Sequence, residues 1–147
     1  MRRLYVVFLL LACVTQAGSA NAAAKVRYFY ADLVSDEETF PVESKGKGHA
    51  EFTLDLETLR LSWKVTFSGL TSKATTVKIH APAQMFTNGV PVVDLAAKGV
   101  SNPLEGSAVV EEALVQYIIS TWAYINISTE KYKDGEIRGQ IDGKGLE

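Results

Sequence analysis

Between Ala50 and Phe67 apolar and polar residues alternate almost without fault. Ala50, Phe52, Leu54 and Leu56 are separated by Glu51, Thr53 and Asp55; Leu59, Leu61, Trp63, Val65 and Phe67 are separated by Arg60, Ser62, Lys64 and Thr66. A repeat of two is that of a pleated strand with one dry and one wet face, whereas a helix would scatter these residues around its circumference. Residues 55–58 are few enough to close a hairpin, so both apolar rows belong on one side of an antiparallel sheet.

The same reading extends along the chain. Val26 to Leu33 is an expected strand, followed by a charged turn at Asp36-Glu37-Glu38 and by Pro41, which cannot donate to a ladder. Val77, Ile79 and Ala81 alternate with Lys78 and His80 until Pro82, and Val90 to Leu95 follows an Asn88-Gly89 turn. Ala97 to Gly106, dense in Gly, Ser, Asn and Pro, is expected to be loop. Within Glu111 to Ser120, Leu114, Tyr117 and Ile118 have helical spacing, behind two acids placed where a helix N-terminus favours them. Residues 122–128 and 136–141 make a last hairpin around Lys133-Asp134-Gly135. The predicted fold is all-β, an antiparallel β-sandwich or flattened Greek-key barrel with one short helix. At 147 residues the chain suits a single core.

Arg2 and Arg3 precede an uncharged apolar run from Leu4 to Ala12, too short for a bilayer span of about 20 residues. Ala20-Asn21-Ala22 and Ala22-Ala23-Ala24 follow with signal-peptidase spacing. Residues 1–24 therefore read as a signal peptide, cleaved after Ala22 or Ala24, and residues 25–147 as the mature domain, secreted or periplasmic. A second reading takes Leu10-Leu11-Ala12-Cys13 as a lipobox, with Cys13 as a lipidated anchor. Cleavage removes two arginines and the single cysteine, leaving 13 basic against 17 acidic residues, a charge of −4. Such a balance offers no field for nucleic acid, and no later run is long enough to span a membrane.

The order of segments resembles the CHRD domain, a module first named from chordin and found singly in exported bacterial proteins. The resemblance covers about Val26 to Asp142. It is strongest at Tyr132-Lys133-Asp134-Gly135-Glu136-Ile137-Arg138-Gly139-Gln140, which fits the family's closing Y-x-x-G-E-I-R-G-Q at every defined position. Pro41-Val42-Glu43-Ser44, Gly46 to Leu54, Phe67-Ser68-Gly69-Leu70-Thr71, Ile79-His80-Ala81-Pro82-Ala83 and Tyr124-Ile125-Asn126-Ile127 support it. The resemblance implies an all-β domain outside the cytoplasm and supplies no reaction. Where the family commonly carries H-I-H and N-V-H-T, this chain has Lys78-Ile79-His80 and Asn126-Ile127-Ser128-Thr129.

With His49 and His80 as the only histidines, a zinc or copper centre would need mostly carboxylate ligands, and Lys78 would repel a cation at His80. There is no G-x-S-x-G elbow, and Gly46-Lys47-Gly48 is too short for a phosphate loop. The expectation is a non-catalytic binding or structural module without cofactor, whose partner is an extracytoplasmic protein or polysaccharide. The alternative is a degenerate metal-binding or superoxide-dismutase-like oxidoreductase using His80. Alternation places Lys78 with His80, Asn126 with Ser128, and Glu136 with Arg138 opposite Ile79, Ile127 and Ile137. These six side chains are the candidate site, expected as one exposed polar cluster: a ligand-binding patch or an ionic ladder that fixes register. Trp122 and Tyr124, on the same face of their strand, are candidates for an exposed contact, as is the apolar tip Met85-Phe86.

Overall fold

The computed structural model describes residues 25–143. The expected leader, with Cys13 and both cleavage sites, lies outside the described residues. Among the described residues nine strands form one antiparallel sheet that curls into a half-barrel, with a single short helix, as the all-β reading anticipates.

Strand β1 (Val26–Val34) pairs with β2 (Lys47–Asp55), and β2 with β3 (Arg60–Ser68), each over its full length. The alternation of 50–67 is realised directly. Ala50, Phe52 and Leu54 lie buried beside Leu61, Trp63 and Val65, while Glu51 and Lys64 face each other across the pair on the wet side. Asp55 turns the hairpin by accepting the backbone N–H groups of Glu57 and Thr58 at 2.8 and 3.1 Å. These two bonds hold its carboxyl below the usual range.

Past β3 the chain crosses to β4 (Ala74–His80) and the short edge strand β5 (Pro91–Asp94). It returns through β6 (Leu104–Val109), which pairs with β3 at the opposite edge. The helix α1 (Glu112–Ile119) buries Leu114, Val115 and Ile118 in the core. Strands β7 (Tyr124–Thr129) and β8 (Ile137–Gln140) then fill the gap between β4 and β1, and β9 (Asp142–Gly143) extends the pairing of β1. The final order is β5-β4-β7-β8-β1-β2-β3-β6, so the last hairpin joins two halves laid down earlier in the chain.

One expectation is corrected. The stretch 97–106 is loop only as far as Pro103, and β6 begins at Leu104. Its turn-forming composition yields to pairing with β3: Leu104 is buried opposite Val65, Glu105 meets Lys64 at 3.3 Å, and Gly106 lies under the Trp63 indole. A Cβ at position 106 would come within 2.6 Å of that ring, so a glycine that reads as loop makes room for the largest core side chain. In a Trp122→Phe background, where Trp63 is the only tryptophan, Gly106→Ala is expected to shift the emission to longer wavelength and to cost about 1–3 kcal/mol in urea unfolding. Unaltered emission and stability would contradict the close approach.

Candidate functional site

Register brings five of the six candidate residues to one face of the sheet. Lys78, Asn126 and Arg138 form a row across β4, β7 and β8; His80 lies in the next row beside Tyr124 and Gln140; Ser128 lies opposite Thr76. Glu136 does not join them. Its N–H donates to the Ile127 carbonyl at 2.8 Å although Ile127 already faces Ile137, a two-against-one arrangement like that of a bulge. Alternation therefore breaks one residue before Ile137, and the Glu136 side chain turns to the side of Thr129.

There Glu136 is 0% exposed and fully engaged. Oε1 accepts the Ser44 hydroxyl at 2.6 Å and the Thr71 backbone N–H at 2.7 Å; Oε2 accepts the hydroxyls of Thr71 at 2.9 Å and Thr129 at 2.7 Å. Burial by itself would raise its pKa, but these donors outweigh it and hold the carboxyl below its ordinary value. One carboxylate thus ties together the loop before β2, the loop after β3 and the end of β7. The expectation of an exposed ladder is corrected for Glu136: the carboxylate is buried and its partners are neutral donors.

The remaining face is covered as well. The segment from the 3-10 turn Ser35–Glu37 through Val42 and the loop between β4 and β5 lie over it. Arg138 is 1% exposed, its guanidinium carbon 3.6 Å from the centroid of the Tyr124 ring. It donates to Thr87 O at 3.0 Å and to Asn88 Oδ1 at 3.4 Å, and that same oxygen accepts Thr39 Oγ1 at 3.1 Å. The charge that sequence reasoning placed on the surface clamps two loops. Tyr124, expected at an exposed contact, is buried between Arg138 and His80, whose ring stacks on it at 4.9 Å and 14°. Trp122 and Phe86, by contrast, are exposed.

Other positions of the closing motif also hold loops. Gln140 Nε2 donates to Ala83 O at 2.9 Å and Thr121 O at 2.7 Å, while its backbone N–H reaches Glu37 Oε2 at 3.3 Å. The Tyr132 hydroxyl donates to Glu43 O at 3.3 Å. Gly135 has φ +142°, and a Cβ there would lie 2.5 Å from both Asn126 Nδ2 and Glu38 Oε1. A side chain at Gly139 would run into the Asp32 carbonyl of β1.

Beside this layer lies a half-open cavity of about 560 Å³, walled by residues 38–42, 88–89 and 131–135, with His80 and Tyr124 on the sheet side. Sequence reasoning missed Glu38, Phe40 and Asn88 as its lining. The available signal was an acidic turn running straight into Phe40-Pro41-Val42. Asn126 Nδ2 donates to Glu38 Oε1 at 3.2 Å, yet burial dominates and pushes the Glu38 carboxyl from 4.5 up to about 7; the Arg138 charge and this hydrogen bond pull the other way. His80 Nδ1 bonds Gly89 O at 3.0 Å. Burial, opposed by the hydrogen bond to Gly89 and helped by the positive charges of Lys78 and Arg138, lowers the His80 pKa.

Among the described residues no three of His, Cys, Asp and Glu gather as a metal site requires. His49 lies elsewhere, on β2, bonded to Asp32 at 2.7 Å. Among the described residues no helix is long and apolar enough to cross a membrane.

A family model described as CHRD domain matches residues 29–141. The chain matches no curated protein and no solved structure.

Two outcomes are expected from these contacts. Glu136→Ala takes the acceptor from four donors and should cost about 3–5 kcal/mol in chemical denaturation. Glu136→Gln, which keeps the shape and lets the threonine hydroxyls turn round, should cost less; equal and negligible losses would show the carboxylate to be idle. The raised pKa of Glu38 means that the folded state retains a proton the unfolded chain has released. Relative to Glu38→Gln, the wild-type protein should therefore lose stability as pH rises from about 4.5 to about 7, with no further change above. A gap between the two proteins that stays constant across this window would refute the shift.

Proposed function

This chain belongs to the CHRD domain family, and from that premise we propose that it works outside the cytoplasm as a non-catalytic binding module, engaging an extracytoplasmic protein or polysaccharide through the cavity beside the closing motif. The observation that carries this reading is a division of labour. The charged residues of the motif, Glu136 and Arg138, are committed inside the fold, whereas the loops they hold present groups the fold leaves available. Phe40 is 67% exposed at the cavity wall. An exposed aromatic in a concave, mixed polar and apolar setting is what a binding site offers. The leader read from residues 1–24 supports the extracytoplasmic setting. The buried roles of Glu136 and Arg138 favour binding over catalysis, since neither side chain is left to act on a substrate.

Phe40 holds no other part of the structure through a polar contact, so its removal separates binding from folding. Purified protein, titrated separately with cell-envelope polysaccharide and with envelope proteins, is expected to bind one of them saturably. Phe40→Ala should weaken that binding about tenfold, or roughly 1.4 kcal/mol, with an unchanged melting temperature. Saturable binding that ignores Phe40, or none to either fraction, would count against the cavity as the site.

A further inference from the structure

We infer that the cavity takes a neutral sugar ring, one unit of a polysaccharide chain; this rests on the binding reading above and names its ligand. What points to this ligand is the hydrogen-bonding capacity that the protein's own contacts leave over. His80 Nδ1 faces the Gly89 carbonyl at 3.0 Å, and a carbonyl only accepts, so Nδ1 carries the proton and the neutral ring's Nε2 is a bare acceptor. Asn88 is the complement. Its Oδ1 accepts from Thr39 and from Arg138, which leaves both N–H groups of its amide as uncommitted donors at the cavity wall. Glu38, half-buried on a third side, offers two carboxyl oxygens, which accept from Asn126 Nδ2 at 3.2 and 3.5 Å and keep further acceptor capacity.

An acceptor, a paired donor and a carboxyl group around one concavity match a ligand whose polar groups each donate and accept at once, as hydroxyls do. The apolar lining agrees. Phe40 and Tyr132 supply aromatic surface, which suits the C–H face of a sugar ring lying between hydroxyls. Charge then decides the kind of sugar. The buried cation of the region, Arg138, is tied to Thr87, Asn88 and the Tyr124 ring, and it does not line the cavity. At the rim stand two exposed lysines, Lys131 and Lys133, beside the carboxyl groups of Glu38 and Asp134, and Lys131 Nζ rests 4.8 Å above the Tyr132 ring. Both lysines are exposed to water at the rim, so among the described residues no buried cation faces the cavity to select a carboxylate or sulfate. The volume of about 560 Å³ falls within the range of small-ligand sites, roughly 300–1,000 Å³.

The test is calorimetric titration of the purified full chain with neutral hexasaccharides (cellohexaose, mannohexaose, chitohexaose) and with a charged oligogalacturonate of the same length. Saturable binding of at least one neutral chain is expected, in preference to the charged one. Phe40→Ala and Asn88→Asp should each weaken it about tenfold. The second keeps an oxygen for Thr39 and Arg138 and replaces the amide donors by a charged acceptor. Phe86→Ala, an exposed aromatic outside the cavity, should leave affinity unchanged. Preferential binding of the charged chain, or neutral binding indifferent to Phe40 and Asn88, would overturn the inference. If no sugar binds while an envelope protein binds in a Phe40-dependent manner, the sugar assignment fails and the binding reading stands. If neither binds, both fail.

Discussion

A carboxylate removed from water must be met by donors, because its desolvation costs several kcal/mol that only well-placed hydrogen bonds offset. Glu136 is such a group, and the structure around it is arranged to satisfy it. Its four donors come from three separate stretches: Ser44 before β2, Thr71 after β3, and Thr129 at the end of β7. These stretches are far apart in sequence, and the curled sheet by itself brings them only to the same end. The requirement that the carboxylate be satisfied in full fixes their mutual positions.

The rest of the closing motif works in the same manner from an adjacent layer. Arg138 holds the loop between β4 and β5, and through Asn88 it reaches Thr39 on the segment before β2. Gln140 holds Ala83 and Thr121, and Tyr132 holds Glu43. Gly135 and Gly139 lie where the backbone must pass close to Asn126 and to Asp32. The motif therefore describes a hub, and the loops that the hub gathers make the cavity. This separates the charged anchors of the motif from where a ligand would be met: Glu136 and Arg138 are inside, and the cavity is walled by segments 38–42 and 88–89 together with residues 131–135, which include the start of the motif.

Much of this fold was legible from alternation, because burial on one face of a sheet leaves a period of two that needs no long-range knowledge. Strands β1 to β3 and the last hairpin follow that rule, and the helix at 112–119 is read instead from the helical spacing of Leu114, Tyr117 and Ile118. The rule failed where backbone geometry or a second layer intervened. Glu136 lies just before β8, where the pairing with β7 has ended, and its side chain turns to Thr129; nothing local to Gly135-Glu136-Ile137 announces it. At Tyr124 and Arg138 alternation correctly assigned the outer face, but it could not show that loops from residues 35–42 and 84–90 cover that face. Leu104–Val109 was hidden by its own composition, since Gly106 serves Trp63 across the pair. Asn88 was legible only as a turn residue; its donors acquire meaning once Thr39 and Arg138 are seen to occupy its oxygen.

The central claim is that the buried Glu136 carboxylate organises loops with no regular pairing of their own. The most direct measurement is amide hydrogen exchange at Thr71, whose N–H donates to Glu136 Oε1 at 2.7 Å from an exposed loop residue. The account predicts slow exchange at Thr71 in the wild-type protein, lost in Glu136→Ala while the amides of β2 and β3 stay protected. Thr71 exchanging in the wild-type protein as fast as an unstructured amide would contradict it.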